Sequence, residues 1–183
     1  MRIRPVDYQN NLFKVENVVS DELVEKVLNT NWLELDWNRQ EGQEHWPRRR
    51  IKDSSIPWID QWNQEIISRW PVIETAIGKE LQYYRGTAWW LDEPGFICNM
   101  HTDGAMPGAM QLTWRGPGTT FYWDKDPSTV RFQTPEKIND GYLMINLPEK
   151  DGTRKLLWHA MLTPSSSYRL TSYTYTPPKA VSN

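Results

Sequence analysis

The sequence predicts a mainly β domain of the α+β kind: a double-stranded β-helix (jelly roll) with N-terminal helices packed on its outer face. Three observations point there. Apolar residues keep helical spacing up to about residue 80, and beyond it they fall into short β-rich runs. Clusters of Gly, Pro, Asp and Asn separate those runs, where alternating βα units would have helical stretches. Helices first and strands after argue for segregated layers, and seven or eight strands at this spacing suit a sandwich, barrel or jelly roll. With 183 residues, one domain over 1–183 is expected. Its helical portion covers about 1–80 and its jelly-roll core about 81–176.

Ser20-Asp21-Glu22 opens the first helix, with Ser20 as N-cap and Leu23, Val24, Val27 and Leu28 on one apolar face. A second helix is expected from about Pro57 to Trp70. It sets Trp58, Ile59, Trp62, Ile66, Ile67 and Trp70 on one side and ends before Pro71, and a shorter helix follows from Val72 to Lys79. Between the first two lies a polar stretch, 36–55, containing Arg48-Arg49-Arg50. Strands are expected at 81–91, 96–101, 110–114, 119–123, 141–146, 156–162 and 168–176.

Charged residues make up 24% of the chain and the formal net charge is −2, so bulk electrostatic capture of nucleic acid or an acidic membrane is not expected. No apolar run follows the charged N-terminus, and none reaches the ~18 residues of a membrane span. A single cysteine, Cys98, leaves no internal disulfide and suits a reducing, cytoplasmic setting. The chain has only three histidines, His45, His101 and His159, so any shared site would use most of the supply.

His101-Thr102-Asp103 falls where a strand runs into a Gly-containing turn. Residues i and i+2 of a strand point to one face, so the imidazole and the carboxylate converge. In the run 156–162, alternation puts Leu157, His159 and Met161 on one face and Leu156, Trp158 and Ala160 on the other. Two imidazoles and one carboxylate around a metal make the facial triad of non-haem Fe(II) sites, which leaves three positions open. Arg169 follows in the next strand on the face that carries Thr171 and Tyr173. An inward guanidinium there needs an anion: a dicarboxylate ligand, or one of the acidic side chains.

The run Glu93-Pro94-Gly95-Phe96-Ile97-Cys98-Asn99-Met100-His101-Thr102-Asp103 resembles the first-ligand strand of the Fe(II)/2-oxoglutarate-dependent dioxygenases, prolyl-4-hydroxylase-like branch. That branch places a Pro-Gly pair with the Gly six residues before the first His. Gly116-Pro117-Gly118-Thr119-Thr120-Phe121 resembles its Gly-Gly-x-Thr-x-Phe hairpin, and Gly141-Tyr142-Leu143-Met144 its next core strand. His159-Ala160-Met161 leads at the family's spacing to Arg169, so the likeness covers about 81–176 in order. Departures are Cys98 where the branch often has Tyr, Ser167 where it has Gly, and Arg as the anchor in place of Lys. Tyr175 stands where nucleic-acid demethylases carry a second Arg, and Asp103 stands where halogenating relatives have a small residue.

The resemblance implies Fe(II) on His101, Asp103 and His159, with 2-oxoglutarate chelating the iron. Arg169 would meet its distal carboxylate, and Thr171 and either Tyr83 or Tyr173 would add donors. Dioxygen is the further reactant and ascorbate an accessory reductant; succinate and CO2 leave as a C–H bond of a small-molecule or peptidyl substrate is oxidised. The departures weigh against proline as that substrate. The rival readings are a cupin-like metal-binding protein, for which histidines are few, and a catalytically inactive jelly-roll interaction module. Loop 104–110 and the stretch 36–55 are candidate walls. Arg48-Arg49-Arg50 is either a recogniser of anions or, more usually for such runs, a solvated cluster, and His45 beside Trp46 is read as a plain surface residue. Trp58, Trp62 and Trp70 are assigned to the core, and Trp89, Trp114 and Trp123 to a pocket lining.

Overall fold

A computed structural model describes residues 1–7, 9, 11–39, 46–83, 86–103, 106, 108–146 and 157–179. Its strands are β1 (Arg2–Pro5), β2 (Leu12–Glu16), β3 (Trp37–Arg39), β4 (Arg48–Ile51), β5 (Ala88–Asp92), β6 (Ile97–His101), β7 (Gly108–Arg115), β8 (Thr120–Tyr122), β9 (Val130–Gln133), β10 (Asp140–Ile145), β11 (Trp158–Leu162) and β12 (Arg169–Tyr175); its helices are α1 (Asp21–Asn29) and α2 (Ile59–Ile77). They form two antiparallel sheets. The larger runs β1-β2-β10-β7-β12-β5-β4-β3 and the smaller β6-β11-β8-β9, which is the expected jelly roll. No helix among the described residues is long and apolar enough to cross a membrane.

Alternation along the strands sorts side chains between two cores. Leu12, Ala109, Phe121, Tyr142, Met144 and Leu157 fill the space between the sheets. Leu112, Trp114, Leu143, Trp89 and Leu91 point the other way and meet Trp62, Ile66, Ile73 and Ile77 of α2 and Leu23 and Val27 of α1. The centre of this outer core is indole on indole. Trp62 lies edge-on to Trp89 at 4.8 Å and to Trp114 at 5.6 Å, while Trp32 stacks on Trp89 at 4.8 Å. Trp62 Nε1 donates to Thr87 Oγ1 at 2.8 Å, so even the indole nitrogen is satisfied inside.

The helices differ from expectation at their ends. Ser20 caps α1 as expected, its hydroxyl accepting from the Leu23 N–H at 3.4 Å. Leu28 and Ile67, assigned to apolar faces, are 51% exposed, because each lies at the rim of its buried stripe. Pro71 does not end α2, which runs on to Ile77 and closes on Gly78 at φ +66°. The N–H that proline lacks would have bonded the carbonyl of Ile67, a residue on the exposed rim of the helix. Burial of Ile73 and Ile77 continues the helix's apolar face past the proline.

The first 80 residues are not purely helical. They supply four strands, β1 and β2 at one edge of the larger sheet and β4 and β3 at the other. The Arg-Arg-Arg-Ile run of β4 has no apolar alternation to betray it, yet its backbone pairs with β5 along its whole length. The strand expected at 81–91 shrinks to Ala88–Asp92; before it, Leu81 makes an isolated bridge to Pro178 and Gly86 takes φ +107°. β9, which sequence patterning missed, is a polar edge strand paired only to β8.

Candidate metal centre

Gly95, at φ +80°, closes the Pro-Gly turn between β5 and β6, and its N–H donates to the Pro164 carbonyl at 3.1 Å. This turn sends β6 back along the smaller sheet with His101 at its end. There His101 pairs directly with His159 of β11, and the two rings come to 4.3 Å. Asp103, just beyond β6, lies with Oδ1 3.5 Å from His101 Nε2 and Oδ2 3.6 Å from His159 Nε2. One ligand atom from each of the three lies within 4.8 Å of the others.

Each imidazole is oriented from behind. His101 Nδ1 sits 2.8 Å from the Asn99 carbonyl and His159 Nδ1 2.9 Å from the Leu157 carbonyl. A carbonyl only accepts, so each Nδ1 carries a proton and each Nε2 is the atom turned toward Asp103. The electrostatics match that convergence. Hydrogen bonding to Asp103, and secondarily the Cys98 thiol, pushes His101 up to about 10. Burial pulls His159 below its ordinary value. Burial works to raise Asp103, but the His101 hydrogen bond and the charges of His159, His101 and Arg48 outweigh it and hold the carboxyl low. Two Nε2 atoms and a carboxylate thus converge on one point, where a divalent cation would displace the proton His101 shares with Asp103. A divalent metal fits this donor set, and iron or a similar borderline ion suits its nitrogen and oxygen composition.

The triad opens into a cavity of about 180 Å³ whose wall includes Arg48, Trp90, Gln111, Tyr142, Met161 and Tyr173. A larger groove, about 620 Å³, runs along β3 and β4 and contains no triad residue; it touches the cavity wall only at Trp90. The smaller, chemically equipped space is the candidate site.

Arg169 points inward as alternation predicts and is fully buried, but it meets an acid that its own strand did not reveal. Its Nη1 is 3.0 Å from Asp92 Oδ2, from the neighbouring strand β5. Its Nε donates to the Pro117 carbonyl at 2.8 Å, and its remaining contacts are Met161 Sδ at 3.2 Å, Thr119 Oγ1 at 3.3 Å and Gln111 Oε1 at 3.4 Å. Met161 and Gln111 line the cavity, so Arg169 stands one layer behind its wall. Burial lowers the Arg169 pKa and the Asp92 charge raises it back. Gly116, at φ +83°, packs so closely that a β-carbon there would come within 3.1 Å of the Arg169 Cβ.

The other candidates divide. Thr171 shares the inward face, and its hydroxyl is buried without a hydrogen-bond partner, but it is not part of the cavity wall. Tyr173 lines the cavity with its hydroxyl on Met106 Sδ. Tyr83 does not reach the site; it packs edge-on against Trp70 at 4.9 Å in the outer core, because the segment before β5 lies on the helical side. Trp89 and Trp114 likewise belong to that outer core, and Trp123 is 47% exposed under Arg131. The indole in the cavity is Trp90, which alternation from buried Trp89 could have identified. Nor is Arg48-Arg49-Arg50 a solvated cluster: Arg48 sits over the Trp90 ring, Arg49 lies over Trp37 and pairs with Glu93, and only Arg50 is exposed. Of the walls named from sequence, His45 and residues 40–45, Gly104, Ala105 and Pro107 lie outside the described residues, while Met106 lines the cavity.

Neither a protein-family model nor a curated protein sequence matches the chain. Solved structures do. A viral collagen prolyl hydroxylase from Paramecium Bursaria Chlorella virus-1, in complex with 2-oxoglutarate, is 12% identical with a TM-score of 0.58, over 93% of this chain and 97% of that one. A prolyl-4-hydroxylase from Pseudomonas putida is 12% identical at TM-score 0.60, covering 93% and 94%. HygX from Streptomyces hygroscopicus, with nickel and 2-oxoglutarate bound, is 10% identical at TM-score 0.61, covering 94% and 85%. At these identities the likeness establishes the fold alone, a jelly roll.

Proposed function

We propose that the chain is a non-haem Fe(II)/2-oxoglutarate-dependent dioxygenase that hydroxylates, or otherwise oxidises a C–H bond of, a small-molecule or peptidyl substrate. The observation that carries this reading is the convergence of His101, Asp103 and His159 within 4.8 Å beside a largely apolar cavity into which Arg48, Gln111, Tyr142 and Tyr173 bring polar groups. Solved relatives in fold bind nickel or 2-oxoglutarate, and the donor set here suits the same chemistry.

When bound, iron and 2-oxoglutarate would supply activation of dioxygen: one oxygen atom enters succinate as CO2 leaves, and the other enters the substrate. The chain's own residues do the rest. His101 and His159 would turn Nε2 to the metal because the Asn99 and Leu157 carbonyls hold their Nδ1 protons. Asp103 adds the single negative charge. Arg169, one layer behind the wall, would supply the positive charge for the distal carboxylate, with Thr171 and Tyr173 on the same strand face as hydroxyl donors. The fit is supported by the orphaned Thr171 hydroxyl and by an excess of positive charge, since Asp92 alone faces both Arg169 and Arg48. Tyr142 and Trp90 contribute aromatic rings to the cavity wall.

The test is turnover. Iron-loaded protein mixed with 2-oxoglutarate in air should release succinate slowly alone and faster when a screened compound is its substrate, and Asp103→Ala should release none. No succinate from the iron-loaded wild type under any of these conditions leaves a metal-binding or silent jelly roll as the better description.

A further inference from the structure

We propose that Arg48 is a second carboxylate-binding residue of the cavity, sharing with Arg169 the distal carboxylate of 2-oxoglutarate. The inference rests on the reading of the site given above. It starts from a row of three side chains across the larger sheet. In the strand register Arg48 of β4 and Arg169 of β12 both stand opposite Asp92 of β5, one on each side. Facing side chains in one row share a face of the sheet, so two guanidiniums flank one carboxylate that is wholly buried. One unit of positive charge is left over in a poorly hydrated place, where an anion is the natural complement.

The two arginines are not equally committed. Arg169 spends its donors on Asp92, Pro117, Gln111, Thr119 and Met161. Arg48 has Nε 2.9 Å from Asp92 Oδ1, yet neither atom of that contact is in a hydrogen bond, so the pairing is electrostatic. Among the described residues no acceptor takes its other guanidinium donors. Arg48, and not Arg169, lines the triad cavity. Its guanidinium lies over the Trp90 ring at 4.8 Å and the Phe96 ring at 5.7 Å, contacts that restrain it before any ligand arrives. The acid nearest in function, Asp103, feels the Arg48 charge but forms no ion pair with it and faces the histidines. A carboxylate entering the cavity therefore meets free, planar, preorganised donors on Arg48 and a deeper charge on Arg169, and completes a cluster of two cations and two anions.

The N-terminal segment, through β4, would then be part of the co-substrate site. The test uses Fe(II)-loaded protein without oxygen and titrates it calorimetrically with two probes: 2-oxoglutarate, and 2-oxopentanoate, which keeps the metal-chelating end but lacks the distal carboxylate. Arg48→Gln should weaken 2-oxoglutarate by about 10- to 100-fold and 2-oxopentanoate by less than about twofold, as expected for loss of a charged hydrogen bond to one group. Arg48→Lys should fall between, since the charge stays and the planar fork goes. Unchanged 2-oxoglutarate affinity in Arg48→Gln overturns the proposal, and so does an equal loss for both probes, which would mark Arg48 as a prop for Asp92. A wild type that binds iron but neither probe, or both alike, instead fails the co-substrate reading itself and takes the proposal down with it.

Discussion

Replacing Asp92 with asparagine keeps the shape of the side chain and removes the one negative charge between two arginines. Asp92 and Arg169 are fully buried, their contact is 3.0 Å, and Arg48 approaches the other oxygen at 2.9 Å from a side chain 19% exposed. Removing one partner of a buried ion pair leaves the other charge uncompensated, at a cost of about 3–5 kcal/mol. For a chain of this length that corresponds to a drop of roughly 6–20 °C in melting temperature. Urea unfolding of wild type and Asp92→Asn, followed by tryptophan fluorescence, measures it. The double variant Arg48→Met with Asp92→Asn should recover part of the loss, because one cation then leaves with the anion. A loss below about 1 kcal/mol, the range of a solvated surface pair, would refute the charge count on which the row depends.

The outer core predicts that Trp62→Ala costs about 3–5 kcal/mol in urea unfolding, since a fully buried indole packed on Trp89 and Trp114 is lost, while iron binding by the protein that remains folded should be unchanged. The start of α1 predicts a pH dependence. Burial works to raise Glu65, but hydrogen bonds from the Ser20 hydroxyl and N–H and from Arg69 outweigh it and hold the carboxyl below its ordinary 4.5. A lowered folded-state pKa gives stability that is present above 4.5 and fades as pH falls through the folded value. Glu65→Gln should therefore lose about 1–2 kcal/mol at pH 7, and the gap in urea midpoints should close as pH drops below that range; a gap that persists unchanged in acid contradicts the assignment.

Period-two alternation explains what the sequence disclosed. His101 with Asp103, Leu157 with His159 and Met161, and Arg169 with Thr171 and Tyr173 share the faces that simple strand counting assigns. What it missed depends on partners from elsewhere in the chain. The Arg169–Asp92 contact joins residues on different strands, and no pattern within 168–176 reveals it. β4 is three arginines and an isoleucine, so its strand character comes from pairing with β5 and its burial from the faces of Trp90 and Trp37. Tyr83 and Tyr173 are equivalent as chemistry; only the turn before β5, with Gly86 at positive φ, puts the first among the helices and leaves the second in the cavity. Pro71 followed the opposite course, a local signal for a helix end that burial of Ile73 and Ile77 overrode.

The central claim is that His101, Asp103 and His159 together hold iron in a cavity that admits 2-oxoglutarate. An anaerobic titration of the protein with Fe(II), followed by 2-oxoglutarate and read by visible absorption, tests it most directly. The expected result is one iron per chain and a weak charge-transfer band that grows on adding 2-oxoglutarate and is absent in His159→Ala and Asp103→Ala. Iron that does not bind, or a band that survives in both variants, would contradict the account.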